Sequence, residues 1–113
     1  AILADATAAP AVVVNEINGN VRIDGPGTIT YVALRDDDYR TGSLRVTWND
    51  VSGVVLYDDE YTESSDIGLT FSARYHDGGD HTPVEILYTT TDIGIDIDLQ
   101  YSIKYHTANN SPR

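Results

Sequence analysis

Hydrophobic and polar residues alternate strictly along residues 93–105, where Ile93, Ile95, Ile97, Leu99, Tyr101, Ile103 and Tyr105 are separated by Gly94, Asp96, Asp98, Gln100, Ser102 and Lys104. A period of two places successive side chains on opposite faces of a strand, so one face is buried and the other is wet. Thirteen residues at about 3.3 Å each would run on the order of 40 Å, longer than an average strand of roughly five or six residues. A further strand is expected over residues 28–34, and the same alternation recurs in residues 43–49, where Leu44, Val46 and Trp48 share a face, and in residues 67–75, where Ile67, Leu69, Phe71, Ala73 and Tyr75 do. The lone Trp48 is expected to anchor the core. The continuous apolar run of residues 54–57 suits a strand covered on both faces.

Turn chemistry punctuates these runs. Asn18-Gly19 tolerates positive φ and predicts a two-residue hairpin turn that sets Val14 opposite Ile23 and Glu16 opposite Val21. Asp24-Gly25-Pro26-Gly27, Asp50-Val51-Ser52-Gly53 and Asp77-Gly78-Gly79-Asp80 read as further breaks, and Pro83 marks the start of a strand over residues 84–89. Two acidic stretches, residues 35–42 and 58–66, read as loops with poor strand propensity. The sum is an all-β, single antiparallel β-sandwich of the immunoglobulin-like or jelly-roll kind, with about eight strands and no significant helix. A barrel is the alternative architecture. Residues 1–10 form an N-terminal arm, residues 11–106 the sandwich domain and residues 107–113 a polar tail.

Composition narrows the function classes. The 113 residues carry 18 acidic against 7 basic side chains, a net charge of -11 that repels phosphate backbones and argues against nucleic acid as a partner. No stretch of about eighteen apolar residues is present to cross a membrane as a helix. Without cysteine there is no disulfide, thiol catalyst or thiolate metal site. The Ala-rich opening, with no methionine anywhere in the chain, reads as a mature terminus after export, so a secreted or cell-surface location is expected.

Candidate chemistry sits mainly in the acidic loops. Asp36, Asp37, Asp38, Asp58, Asp59, Glu60, Asp77 and Asp80 could supply carboxylate oxygens to Ca²⁺ if the fold brings two loops together, although their spacing matches no known calcium loop. The competing reading is a solvated acidic surface. Asp96 and Asp98, roughly 7 Å apart on one strand face, have a separation usable in glycoside hydrolysis but read better as a wet sheet face. His76, Asp77, Asp80 and His81 make a compact His-Asp cluster of the kind that suits Zn²⁺ or Cu²⁺. No nucleophile elbow, phosphate loop or dinucleotide fingerprint occurs, so an enzyme is the least favoured class. Of the eight tyrosines, half or more are expected at strand ends, where an amphipathic ring can be half covered.

The segment from Val21 to Thr30, followed by Asp37-Asp38 and Ser43-Leu44-Arg45-Val46, resembles the Greek-key motif of βγ-crystallins, whose members often bind calcium. The resemblance spans about a quarter of the chain; the Asp-Asp to Ser spacing departs from that pattern and the second half does not repeat it. The leading expectation is a non-enzymatic structural subunit that assembles with copies of itself into a filament, pilus-like fibre or surface layer. Its arm would add to a neighbour's sheet edge through Ile2, Leu3, Val12 and Val14 as apolar anchors. The alternative is a calcium-dependent carbohydrate-binding module that uses the acidic loops and nearby tyrosines to hold a glycan.

Overall fold

A computed structural model describes residues 1–15, 19–49, 51–75 and 84–106. Among them the chain is all-β and antiparallel, with no helix. The strands are β1 (Ile2–Leu3), β2 (Ala11–Val12), β3 (Val14–Asn15), β4 (Gly19–Asn20), β5 (Arg22–Ile23), β6 (Gly27–Arg35), β7 (Asp38–Trp48), β8 (Val55–Glu63), β9 (Leu69–Tyr75), β10 (Val84–Thr90) and β11 (Ile97–Tyr105). One five-stranded sheet runs β1-β11-β6-β7-β8; in a second, β10 pairs with β9, β2 and β5; β3 and β4 form a small hairpin.

The alternation read from the sequence explains how the two sheets meet. Ile29, Tyr31 and Ala33 of β6, Leu44 and Val46 of β7, and Ile97 and Leu99 of β11 all turn to one side and are buried. They face Leu69, Phe71 and Ala73 of β9 and Ile86 and Tyr88 of β10 in a single sandwich-like core. The Tyr31 and Phe71 rings meet edge to face at 4.9 Å across the gap between sheets, a preferred aromatic geometry.

Several expectations change. The long strand is shorter, since β11 begins at Ile97 and the preceding residues bend, with Gly94 at φ 84°. The bend turns the Ile93 and Gly94 N–H groups toward Asp5 rather than into a ladder, leaving Ile93 and Ile95 exposed. Both acidic stretches are mostly strand. Only Asp36-Asp37 remain as a turn between β6 and β7, while Asp58, Asp59 and Glu60 lie within β8. Cross-strand arginines, described below, override the low strand propensity of these acids. The apolar run at residues 54–57 is not covered on both faces: β8 is an outer strand and Leu56 is exposed. The doubly buried strand is β10, flanked on both sides by partners.

The first hairpin also has another register, with Val14 opposite Asn20 and Asn15 opposite Gly19. That leaves Val14 exposed and lets Val13 and Val21 face the core, joined by a 2.7 Å bond from the Val21 N–H to the Val13 carbonyl. Glu16 and Asn18 of the expected turn lie outside the described residues. Trp48 is half-buried, packed against the margin of the core rather than at its centre. Of the tyrosines, Tyr31 and Tyr88 are buried, Tyr75 and Tyr101 are half-buried and Tyr39, Tyr57, Tyr61 and Tyr105 are exposed.

Candidate functional site

The N-terminal arm lies on the chain's own β11. β1 pairs antiparallel with it, Ile2 opposite Asp98 and Leu3 opposite Ile97. The Ala1 nitrogen donates to the Leu99 carbonyl at 2.8 Å, and the Leu99 N–H returns the bond to the Ala1 carbonyl at 2.8 Å. Leu3 is fully buried, whereas Ile2 faces solvent. Of the other expected anchors, Val12 is half-buried on β10 and Val14 points outward.

Beyond Leu3 the arm is held by polar groups. The Asp5 carboxylate accepts the Ile93 and Gly94 N–H groups at 2.9 and 3.0 Å and receives Arg35 Nη2 at 2.5 Å. The Ile93 backbone bond, supported by Gly94 and the Arg35 charge and opposed by desolvation, holds this carboxyl below the usual aspartate range. The Asp5 N–H donates in turn to Asp96. Arg35 is buried and also donates to the carbonyls of Ile95, Ile67 and Thr91 and to the Thr91 hydroxyl. One guanidinium fork thus ties the arm to the segments before β9 and β11. Thr7 then exchanges two bonds with Thr90, N–H to Oγ1 and carbonyl to N–H, both 2.9 Å.

This docking exposes a property of β11. Ala1 and Leu99 exchange both backbone bonds, so the polar groups of Leu99 point toward β1, and those of Tyr101, Ile103 and Tyr105 point the same way. Among the described residues no strand pairs with that side of β11 beyond Leu99. The inward side chains there, Tyr101 and Ile103, are half-buried against the core. Among the described residues, β11 therefore has an unpaired edge that continues the line of the arm.

A second polar centre joins β6, β7 and β8. Arg40 is buried on the inner side of β7, donating Nε to Glu63 at 3.0 Å, with Nη1 3.7 Å from Asp59 Oδ2. Its guanidinium lies 3.8 Å from the Tyr61 ring centroid. Burial opposes the charge of Arg40, yet bonds to Glu63 and Tyr31 outweigh it and raise the group above its ordinary value. The Tyr31 hydroxyl donates to Asp59 at 2.8 Å, and burial followed by this carboxylate pushes the phenol up. Burial also raises the Asp59 carboxyl, with the Tyr31 bond and the Arg40 charge acting against it. Gly42, opposite both Tyr31 and Tyr61, makes the arrangement fit: a Cβ there would stand 2.7 Å from the Tyr31 hydroxyl and 2.8 Å from Tyr61 Cβ.

The structure separates the expected metal ligands. Asp36 and Asp37 form the β6–β7 turn, and Asp38 opens β7, where it accepts the Ser64 hydroxyl. Asp58, Asp59 and Glu60 stand opposite Arg45, Leu44 and Ser43, on the order of 17 to 23 Å along β7 from Asp38. Arg45 pairs with Asp58 and Glu60 on the outer face of the sheet, and Arg40 with Asp59 on the inner. The expected convergence of two acidic loops is thus replaced by cross-strand ion pairing. Asp77 and Asp80, with His76 and His81, lie outside the described residues. Among the described residues no three His, Asp or Glu side chains group as a metal site, and no helix is long and apolar enough to cross a membrane.

Asp5, Arg35, Arg40 and Gly42 escaped the sequence reading. The two arginines were accessible to it, because period two carried to the ends of β6 and β7 puts Arg35 in line with Ile29, Tyr31 and Ala33, and Arg40 in line with Leu44 and Val46. Asp5 carries no such signal. Compared with known protein families, curated proteins and solved structures, the chain finds no match.

Proposed function

We propose that this chain is a non-enzymatic structural subunit, exported to the cell surface or beyond, that assembles with copies of itself by exchange of its N-terminal arm. The observation that carries this reading is the arm itself. Residues 1–7 are attached by discrete contacts to residues 88–99 and to Arg35 of β6: a backbone pairing with β11, a buried Leu3, and the Asp5 carboxylate on Arg35, Ile93 and Gly94. Exposed Ala8, Ala9 and Pro10 join this unit to β2. A segment bound this way can make the same contacts with a neighbouring copy, the low-cost route to a swapped assembly. One further feature favours the exchanged form. The side of β11 beyond Leu99, unpaired among the described residues, offers a neighbour additional backbone partners in the same line.

Light scattering and negative-stain microscopy of the full chain and of a variant lacking residues 1–10 test the reading. The full chain is expected to form concentration-dependent oligomers or fibres, and the truncated chain to remain monomeric. A synthetic peptide of residues 1–10 should bind the truncated chain and cap it. A full chain that stays monomeric at all concentrations, or a truncated chain that assembles equally well, refutes it.

A further inference from the structure

We propose a second site, a cleft that binds a neutral saccharide, beside the arm-docking groove. The cleft has a volume of about 390 Å³, within the roughly 300–1,000 Å³ typical of small-ligand sites. Arg40 of β7, Tyr61 of β8, Asp66 before β9, residues 89–91 at the end of β10, and Thr7 and Ala8 of the docked arm contribute to its wall. This inference goes beyond the assembly reading and does not rest on it.

The chemistry of the wall selects the ligand. Arg40 is 2% exposed, and its Nη1 is enclosed by protein 3.7 Å from Asp59 Oδ2, so the guanidinium backs the Tyr61 ring rather than reaching a ligand itself. The Tyr61 ring lies against that guanidinium on a paired strand, while 47% of the residue stays accessible. It is a fixed aromatic platform, able to cover a sugar ring with little loss of side-chain freedom. Asp66 is oriented by the Gly68 N–H at 2.9 Å and presents a carboxylate acceptor. The Thr90 hydroxyl is engaged by Ala4 and Thr7 and the Thr91 hydroxyl by Arg35, so Thr70 and Thr89 are the threonines left to give and take hydrogen bonds with a ligand. An acceptor, hydroxyls that serve as donor and acceptor, and an aromatic face together match a ligand made of ring carbons and hydroxyl groups. An anion is disfavoured, because Glu63 and Asp59 already balance Arg40, Asp66 adds negative charge and the chain carries -11 overall.

The test applies the full chain to an array of neutral and anionic oligosaccharides, followed by NMR titration with each retained glycan and with inorganic phosphate. A neutral saccharide is expected to be retained, with shifts centred on Tyr61, Asp66 and residues 89–91. Tyr61→Ala and Asp66→Ala should each raise its Kd at least tenfold, while Arg45→Ala on the outer sheet face leaves it unchanged. If Tyr61→Ala does not fold, Asp66→Ala alone decides. Retention of no neutral saccharide, tighter binding of phosphate or sulfated glycans, or affinity indifferent to the variants overturns the proposal.

Discussion

Replacing Leu3 with alanine tests how the arm is held. The side chain is fully buried, although the strand that carries it has only two residues. Truncating a buried leucine removes its transfer free energy and leaves a cavity, at a cost of about 2–5 kcal/mol. Because the arm is a peripheral unit, that loss should fall first on arm opening rather than on global unfolding. Four amides report the opening directly, since their acceptors belong to the arm: Leu99 to the Ala1 carbonyl, Thr90 to the Thr7 carbonyl, and Ile93 and Gly94 to the Asp5 carboxylate. At about 1.4 kcal/mol per factor of ten, their hydrogen exchange should accelerate roughly 30-fold to several thousandfold, until global unfolding sets the limit. The Ile86 amide, bonded to the Val21 carbonyl in the second sheet, serves as the reference and should change far less. An acceleration below about fivefold at the arm-bonded amides, or an equal one at Ile86, would refute the argument that Leu3 pins a separable arm.

Two further perturbations probe the polar groups. Asp5 has a depressed folded value, so its contribution to arm docking is complete above the ordinary aspartate range and is lost as pH falls through the folded value. Exchange at Ile93 and Gly94, corrected for intrinsic rates, should therefore accelerate on acidification, and Asp5→Asn should remove that pH dependence; its persistence in the variant assigns the effect elsewhere. Gly42→Ala would force a Cβ to within 2.7 Å of the Tyr31 hydroxyl and 2.9 Å of the Glu60 carbonyl. Urea denaturation should show a loss of about 1–3 kcal/mol, the usual cost of overpacking, and an unchanged midpoint would show that β8 yields freely.

The sequence by itself determined the class and the faces. Period-two alternation put Leu44, Val46, Leu69, Phe71, Ile97 and Leu99 inside, and each of these is buried. A sheet with one buried face has no other register that keeps its apolar residues dry, so the pattern is a strong local constraint. Tertiary structure alone decided where alternation stops and where acidic residues belong. Residues 93–96 alternate as cleanly as those that follow, but Asp5, 88 residues earlier, draws two of their backbone N–H groups away from any ladder. The stretch Asp58-Asp59-Glu60 reads as a loop because carboxylates disfavour strands in isolation, and it becomes strand because β7 sets Arg45 and Arg40 beside it. The arm is the extreme case. Its polarity and small residues suggest little order, and what orders it is a groove that exists only after the sheets have paired, since a carboxylate finds Arg35 and two free amides together only in the folded chain.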